Sequence, residues 1–492
     1  MTPSVPRGRA TGGAARVPAA SHARLACLLM AALLAACADA GPTGVLGPGD
    51  GPRAAPAWSA APGAEAYDAE VALAWFGLSF ELTRDEGLFP PPAARAYAYA
   101  GVTLWEAVAP GVDGGLSLGG RLNGLGELPA ARSELHWPAV ANAALATIMR
   151  RFYTSPESRR AIRELEHGLD ARFRDLLPAG IHGASVAQGR RVAMAIWRWS
   201  ETDGYRELGD CAYTPPAGAG LWNPTPPGFE PAVEACWGHL RTFLPGDPGA
   251  CAPPPHPAYS EDPASEFHRA AREVYEAVNE ATEEQRTIAL YWADLAGESP
   301  TPAGHSLSIA AQALRTVDGS LDLAAETFAR VGIGESDAFI GCWATKYHYN
   351  LLRPVEYIRA LIDPAWEPVL ETPPFPAYTS GHSNDVGASS TILTALFGDG
   401  FAITDRTNEG SGFAPRSFAS FREAAEEAAI SRLYGGIHYV FDIEGGLVQG
   451  RCIGRAVVAL AFRSGAPAGL LAGRGEAATL RRPSLRDGDP RG

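Results

Sequence analysis

Apolar residues recur at intervals of three and four along most of this chain, and strand-like alternation bounded by turn pairs is scarce. That pattern limits the fold to helices packed on helices. It is clearest in residues 64–201, where Val71, Leu73, Trp75, Phe76, Leu78 and Phe80 open the series and 93–109 and 135–152 continue it. It resumes over 264–353, 386–396 and 421–462. Trp105 and Trp197 read as core. With 46% hydrophobic and 20% charged residues over 492 positions, the chain is long enough to bury a sizeable core. A net charge of −14 argues against nucleic acid as a partner. It does not argue against a small buried anion, because local cations set the field inside a cleft.

The ends differ from this pattern. Residues 1–24 carry Arg7, Arg9, Arg16 and Arg24 and no acid, and 25–36 form a short apolar run. A basic start, a short apolar segment and small residues read as an export signal. Leu34-Ala35-Ala36-Cys37 resembles the lipobox of bacterial lipoproteins, so residues 1–37 are expected to be a lipoprotein-type signal ending at a lipidated Cys37. The alternative is an ordinary secretory signal. Cys37 would be the only membrane contact, and the protein would sit on the periplasmic side of a membrane or at the cell surface. Residues 38–63, rich in Gly, Pro and Ala, read as a tether; 465–492 read as a disordered tail.

Between them, residues 204–263 are crowded with proline and carry Cys211, Cys236 and Cys251. Proline removes a backbone donor and restricts its neighbours, so this is an ordered loop excursion from the helical domain at 64–464. Two of the three cysteines are expected to pair, in any combination. A zinc site is the rival reading, but the spacing is unlike the usual paired-cysteine knuckles.

Three separated segments carry chemistry. In the first, Lys346 and Arg353 are spaced by two helical turns, which predicts both cations on one helix face, with Pro354 ending the helix. In the second, Thr379 and Ser380 are good N-cap residues ahead of Gly381 and His382. The N–H groups of Ser380, Gly381 and His382 would point out of that helix end, where tetrahedral anions bind readily. In the third, Ser431-Arg432 precedes the helix-breaking pair Gly435-Gly436, and His438 and Asp442 follow. Asp442 would take the proton of one imidazole nitrogen and leave the other free as a ligand or nucleophile.

In this order the three segments resemble the signature shared by vanadium-dependent haloperoxidases and type 2 phosphatidic acid phosphatases. That signature reads Lys-x6-Arg-Pro, Pro-Ser-Gly-His and Ser-Arg-x5-His-x3-Asp. The first and third parts match in full. In the second, Thr379 replaces proline, and a small loop adjustment is expected. Cys342-Trp343, Pro374-Phe375-Pro376-Ala377-Tyr378, Arg416-Ser417-Phe418, Leu221-Trp222-Asn223-Pro224 and Ser299-Pro300-Thr301-Pro302-Ala303-Gly304-His305 look like the exported bacterial haloperoxidase branch.

The resemblance implies an all-α fold, a large helical bundle with an oxyanion site in its core. It implies vanadate as cofactor, with phosphate as the alternative in the same pocket. His438 would be the metal ligand, oriented by Asp442. Lys346, Arg353, Arg432, Ser380 and Gly381 would hold the oxygens, and His382 would be the acid–base group. Trp343 and Phe375 would line a halide pocket, and Asp294 would partner Arg432. Hydrogen peroxide and halide would then be the substrates and a hypohalous acid the product. The same atoms suit a phosphatase acting on a phosphoester through a phosphohistidine at His438. A third possibility is a lipoprotein that binds oxyanions without catalysis. His305 and His348 read as structural.

Overall fold

The computed structural model describes residues 62–131, 134–246 and 248–464. The signal segment, nearly all of the tether and the tail lie outside the described residues. Those that are described fall in one compact unit.

The architecture is helical, as the periodicity requires. In chain order the helices are α1 (Glu70–Asp85), α2 (Pro90–Val108), α3 (Trp137–Phe152), α4 (Pro156–Leu176), α5 (Ala179–Ser200), α6 (Glu266–Asn279), α7 (Glu283–Tyr291), α8 (Thr301–Thr316), α9 (Leu321–Tyr349), α10 (Pro354–Leu361), α11 (Gly381–Phe397), α12 (Phe421–Tyr434) and α13 (Val440–Ala459). A short antiparallel hairpin, β1 (Ile403–Asp405) with β2 (Arg416–Phe418), joins α11 to α12. None of the helices described is long and apolar enough to cross a membrane.

Helix α9 is the axis of the molecule. It runs 29 residues and is buried on nearly every side, ionisable residues included. Its polar residues are individually satisfied at two points. Arg330 pairs with Glu326 at 2.8 Å and donates to the Val457 carbonyl. Asp337 accepts from the N–H groups of Phe243 and Leu244 at 2.7 and 2.9 Å, which ties the proline-rich excursion to the core. Helix α2 crosses α9 at backbone distance. A methyl on Gly101 would fall 2.5 Å from the Phe328 carbonyl oxygen, and one on Gly332 2.9 Å from Ala98 Cα.

Helices α11 and α13 are pressed together in the same way. Gly446, Gly450 and Gly454 recur every fourth residue along α13 and form one flat stripe. A Cβ at Gly446 would lie 2.7 Å from the Ser380 carbonyl oxygen, and one at Gly454 2.7 Å from that of Ala388. At Gly450 it would collide with the Asn384 carbonyl. The stripe therefore fixes how close the N-terminus of α11 comes to the start of α13.

Among the described residues the cysteines resolve into Cys211–Cys236 and Cys251–Cys452, with Cys342 free and buried. The expectation that two of the loop cysteines pair holds for the first bridge. The partner of Cys251 is on α13, 201 residues away.

Candidate active site

Lys346 and Arg353 do not share a helix, contrary to the spacing argument. Helix α9 ends at Tyr349, Asn350 turns the chain with φ 49° and ψ 39°, and Arg353 is the N-cap of α10. Asparagine tolerates that left-handed turn. The residue before a proline is pushed into extended backbone, so Pro354 starts a helix here instead of ending one. The two cations still converge, because the loop before α11 lies across both. Lys346 Nζ donates to the carbonyls of Pro376 and Ala377 at 2.8 and 2.9 Å, and Arg353 Nε to that of Phe375 at 2.7 Å.

That loop carries five prolines and delivers the N-terminus of α11. Ser380 is the N-cap, its hydroxyl accepting from the Ser383 N–H at 3.3 Å. Its own N–H is not free, since it donates to the Asp442 carbonyl at 3.0 Å. The first-turn N–H groups of Gly381 and His382 are the ones a helix leaves unpaired. Thr379, which stands where proline was expected, is not the cap. It is buried, with its hydroxyl accepting from Asn384 Nδ2 at 2.9 Å and donating to Gln449 at 3.1 Å.

The third segment closes the site. Helix α12 ends at Tyr434, Gly436 adopts φ 78°, and Tyr439 caps α13. His438 precedes that helix and Asp442 lies in its first turn. They meet through the cap, not along a helix face. Asp442 Oδ2 accepts from the Tyr439 N–H at 3.1 Å and lies 2.9 Å from His438 Nδ1. Arg353 Nη1 lies 3.1 Å from His438 Nε2. A guanidinium only donates, so Nε2 is the acceptor and Nδ1 carries the proton. Burial, then Arg353 and Lys346, hold His438 well below the usual imidazole range. It is a neutral imidazole whose Nε2 lone pair accepts from Arg353 in the field of Lys346 and Arg432.

Burial dominates the other groups too. It brings Lys346 down to about 7 and Arg353 and Arg432 to about 10, and raises Asp442 to about 7. Three buried cations beside one carboxylate leave an excess of positive charge that favours a counter-ion. Two buried atoms wait for one: Arg353 Nη2 and His382 Nε2 have no partner.

A cavity of ≈ 120 Å³ opens beside them, lined by Gly381, His382, Arg432 and His438 on one side and by Trp343 and Phe375 on the other. The Trp343 and Phe375 rings stand 5.0 Å apart, and Lys346 Nζ is 5.9 and 5.0 Å from their centroids. The His382 side chain is 17% exposed, but its Nε2 is buried.

Asp294 departs from expectation. Helix α7 ends before it, and it adopts φ 48°. It lines the cavity but makes no ion pair with Arg432. The Arg432 guanidinium donates instead to the carbonyls of Ala289 and Trp292 and to the Ser431 hydroxyl. Asp294 is held by His305, at 3.0 and 3.1 Å from Nδ1. Asp405, on β1, lies 2.7 Å from His305 Nε2. Neither contact follows from local spacing, because Asp405 is far along the chain.

A helical core carrying a neutral histidine inside a ring of cations is the plan of an oxyanion-binding enzyme. The comparisons give that class its family. A family model described as the VCPO second helical-bundle domain matches residues 326–465. The structure of a bacterial vanadium-dependent iodoperoxidase superposes with a TM-score of 0.76 at 35% identity, covering 81% of this chain and 97% of that one. Holo and apo bacterial vanadium-dependent chloroperoxidases share the fold, with TM-scores of 0.58 and 0.59 at 15% and 16% identity. Each covers 75% of this chain, and 92% and 94% of their own chains are matched. No curated protein sequence matches. The chain belongs to the vanadium haloperoxidase superfamily.

Proposed function

We propose that this protein binds vanadate at His438 and uses it to oxidise a halide with hydrogen peroxide. The observation that carries this reading is the neutral His438, its Nε2 facing Arg353 at 3.1 Å within the field of Lys346 and Arg432. Among the described residues no group of three or more His, Cys, Asp or Glu side chains can hold a bare metal ion. The donors present suit a metal that arrives as an oxyanion, bound by one imidazole and neutralised by cations. The orphaned Arg353 Nη2 and the unpaired N–H groups at the tip of α11 suit its oxygens. Vanadate supplies Lewis-acid activation of peroxide without changing oxidation state.

The residues divide the remaining work. Lys346, Arg353, Arg432, Ser380 and Gly381 bind and orient the anion. Asp442 keeps the His438 proton on Nδ1. His382, with its buried Nε2 unpartnered at the cavity, moves the proton that the reaction consumes. Trp343 and Phe375 give the halide a poorly hydrated wall. The balance is halide plus peroxide plus one proton to hypohalous acid plus water. The peroxide O–O bond breaks, and the halide loses two electrons. Likeness to an iodoperoxidase makes iodide the first halide to test.

The full-length protein, loaded with orthovanadate, is assayed for peroxide-dependent oxidation of iodide and bromide, and without vanadate for p-nitrophenyl phosphate hydrolysis. Halide oxidation that requires vanadate supports the reading. Phosphatase activity that vanadate inhibits transfers the same residues to phosphoester hydrolysis. The basic, apolar and lipobox-like start supports export as a lipoprotein anchored at Cys37. Two disulfides suit an oxidising compartment. Labelling with palmitate that disappears in Cys37→Ala tests the anchor.

A further inference from the structure

An acid in the wall of an anion cavity works against the site. Asp294 stands there, beside Arg432 and His382. Left alone, it would repel the anion or compete with it for the Arg432 guanidinium. His305 prevents this. Both carboxylates that flank it only accept, so both ring nitrogens donate and the ring is an imidazolium. Burial opposes that charge, but Asp294 and Asp405 outweigh it and push the group up to about 10.

The surroundings are built around this bridge. The Trp292 ring stacks on His305 at 4.4 Å with 17° between planes, while its carbonyl accepts from Arg432. The charge of Asp405 is dispersed away from the cavity, onto the Tyr291 hydroxyl at 2.7 Å and the Thr407 N–H at 2.9 Å. Asp294 Oδ2 stays 4.0 Å from His382 Nε2, beyond a hydrogen bond. Arg432 thus hydrogen-bonds only to neutral partners, and Asp294 acts on it through space alone.

We propose that His305 is a positioning residue for the oxyanion site: bridged between Asp294 and Asp405, it cancels the cavity-wall charge of Asp294 and so keeps Arg432 available to the anion. This rests on the oxyanion reading above. The role is electrostatic, so it is separable from simple support of the fold. Replacing His305 with glutamine keeps a donor and removes the charge. Replacing Asp294 as well removes the charge that then needs cancelling.

The test is orthophosphate and orthovanadate binding to the full-length protein by calorimetry, with ¹⁵N-histidine NMR of the unloaded protein. His305→Gln should weaken binding of both anions by about tenfold or more. His305→Gln/Asp294→Asn should regain affinity to within about threefold of wild type. Ser417→Ala, which removes the 3.0 Å hydroxyl contact to Thr404 across the same hairpin without touching the charges, should leave affinity unchanged. Unaltered binding in His305→Gln, no rescue in the double variant, or an equal loss in Ser417→Ala overturns the proposal. If His305→Gln does not fold, two readings decide. His305 in the wild-type protein should hold protons on both nitrogens at pH 8, and Asp294→Asn should bind orthophosphate at least as tightly as wild type; a neutral His305 or weaker binding refutes the idea. If the wild-type protein binds neither anion, the oxyanion reading itself falls, whatever the state of His305.

Discussion

Arg353 Nη1 lies 3.1 Å from His438 Nε2, and that contact decides which imidazole nitrogen is available. The guanidinium guards the lone pair while Asp442 keeps the proton on the far side. An anion arriving at Nε2 takes over a place already surrounded by positive charge.

His438→Ala should abolish binding of orthovanadate while the helical circular dichroism is retained. Asp442→Asn should keep the fold but weaken vanadate affinity by about 10–100-fold, because a neutral amide makes His438 less basic. Equilibrium dialysis reads both. A His438→Ala variant that still oxidises iodide would remove that residue from the site.

Lys346 in the empty site sits near 7, depressed first by burial and also by Arg353. A bound anion restores its charge. Anion binding above pH 7 should therefore take up a proton, and affinity should fall as pH rises from 7 toward 9. Calorimetry in two buffers of different ionisation enthalpy measures the uptake. Lys346→Met should abolish it.

Asp385 is fully buried, with one oxygen unpartnered, and burial raises it from 3.8 to about 7. The folded protein holds a proton there that the unfolded chain releases. Its stabilising contribution is present below pH 3.8 and is lost as pH rises through about 7. Asp385→Asn cannot ionise. Its stability relative to wild type should improve between pH 5 and pH 8 in urea titrations; a constant difference would contradict the assignment.

Gly450→Ala places a methyl against the Asn384 carbonyl oxygen. Helix α11 has to move away from α13, and Ser380 and Gly381 move with it. Stability should drop by about 1–3 kcal/mol or more. Orthophosphate affinity should fall as well, although residue 450 is outside the cavity. Gly400→Ala, at an open position, is the control and should change neither.

The long-range disulfide gives a fifth expectation. Cys452→Ala opens a bridge across 201 residues and should cost about 2–5 kcal/mol, read as a lower urea midpoint.

Much of the site was legible because its chemistry is local in sequence. The His438–Asp442 pair, the Ser380-Gly381-His382 helix tip and the Lys346 and Arg353 cations each lie within one short segment. What misled was geometry that depends on distant chain. Spacing alone put Lys346 and Arg353 on one helix, but Asn350 and Pro354 break it and the loop at 375–377 regathers both side chains. The absence of strand alternation was a sound guide to the class and still missed β1, which is only three residues long and carries Asp405. Without Asp405 nothing in the local sequence gives His305 a partner, and the resemblance alone pairs Asp294 with Arg432.

Val233, in the proline-rich excursion, accepts from the Trp343 indole at 3.4 Å and from the Tyr347 hydroxyl at 2.7 Å, while its own N–H donates to the Pro374 carbonyl at 3.0 Å. One peptide unit thus steadies the two walls that bear Trp343 and Phe375. Variation among residues near it in the excursion can retune the gap between those rings while leaving Lys346, Arg353, Arg432 and His438 untouched.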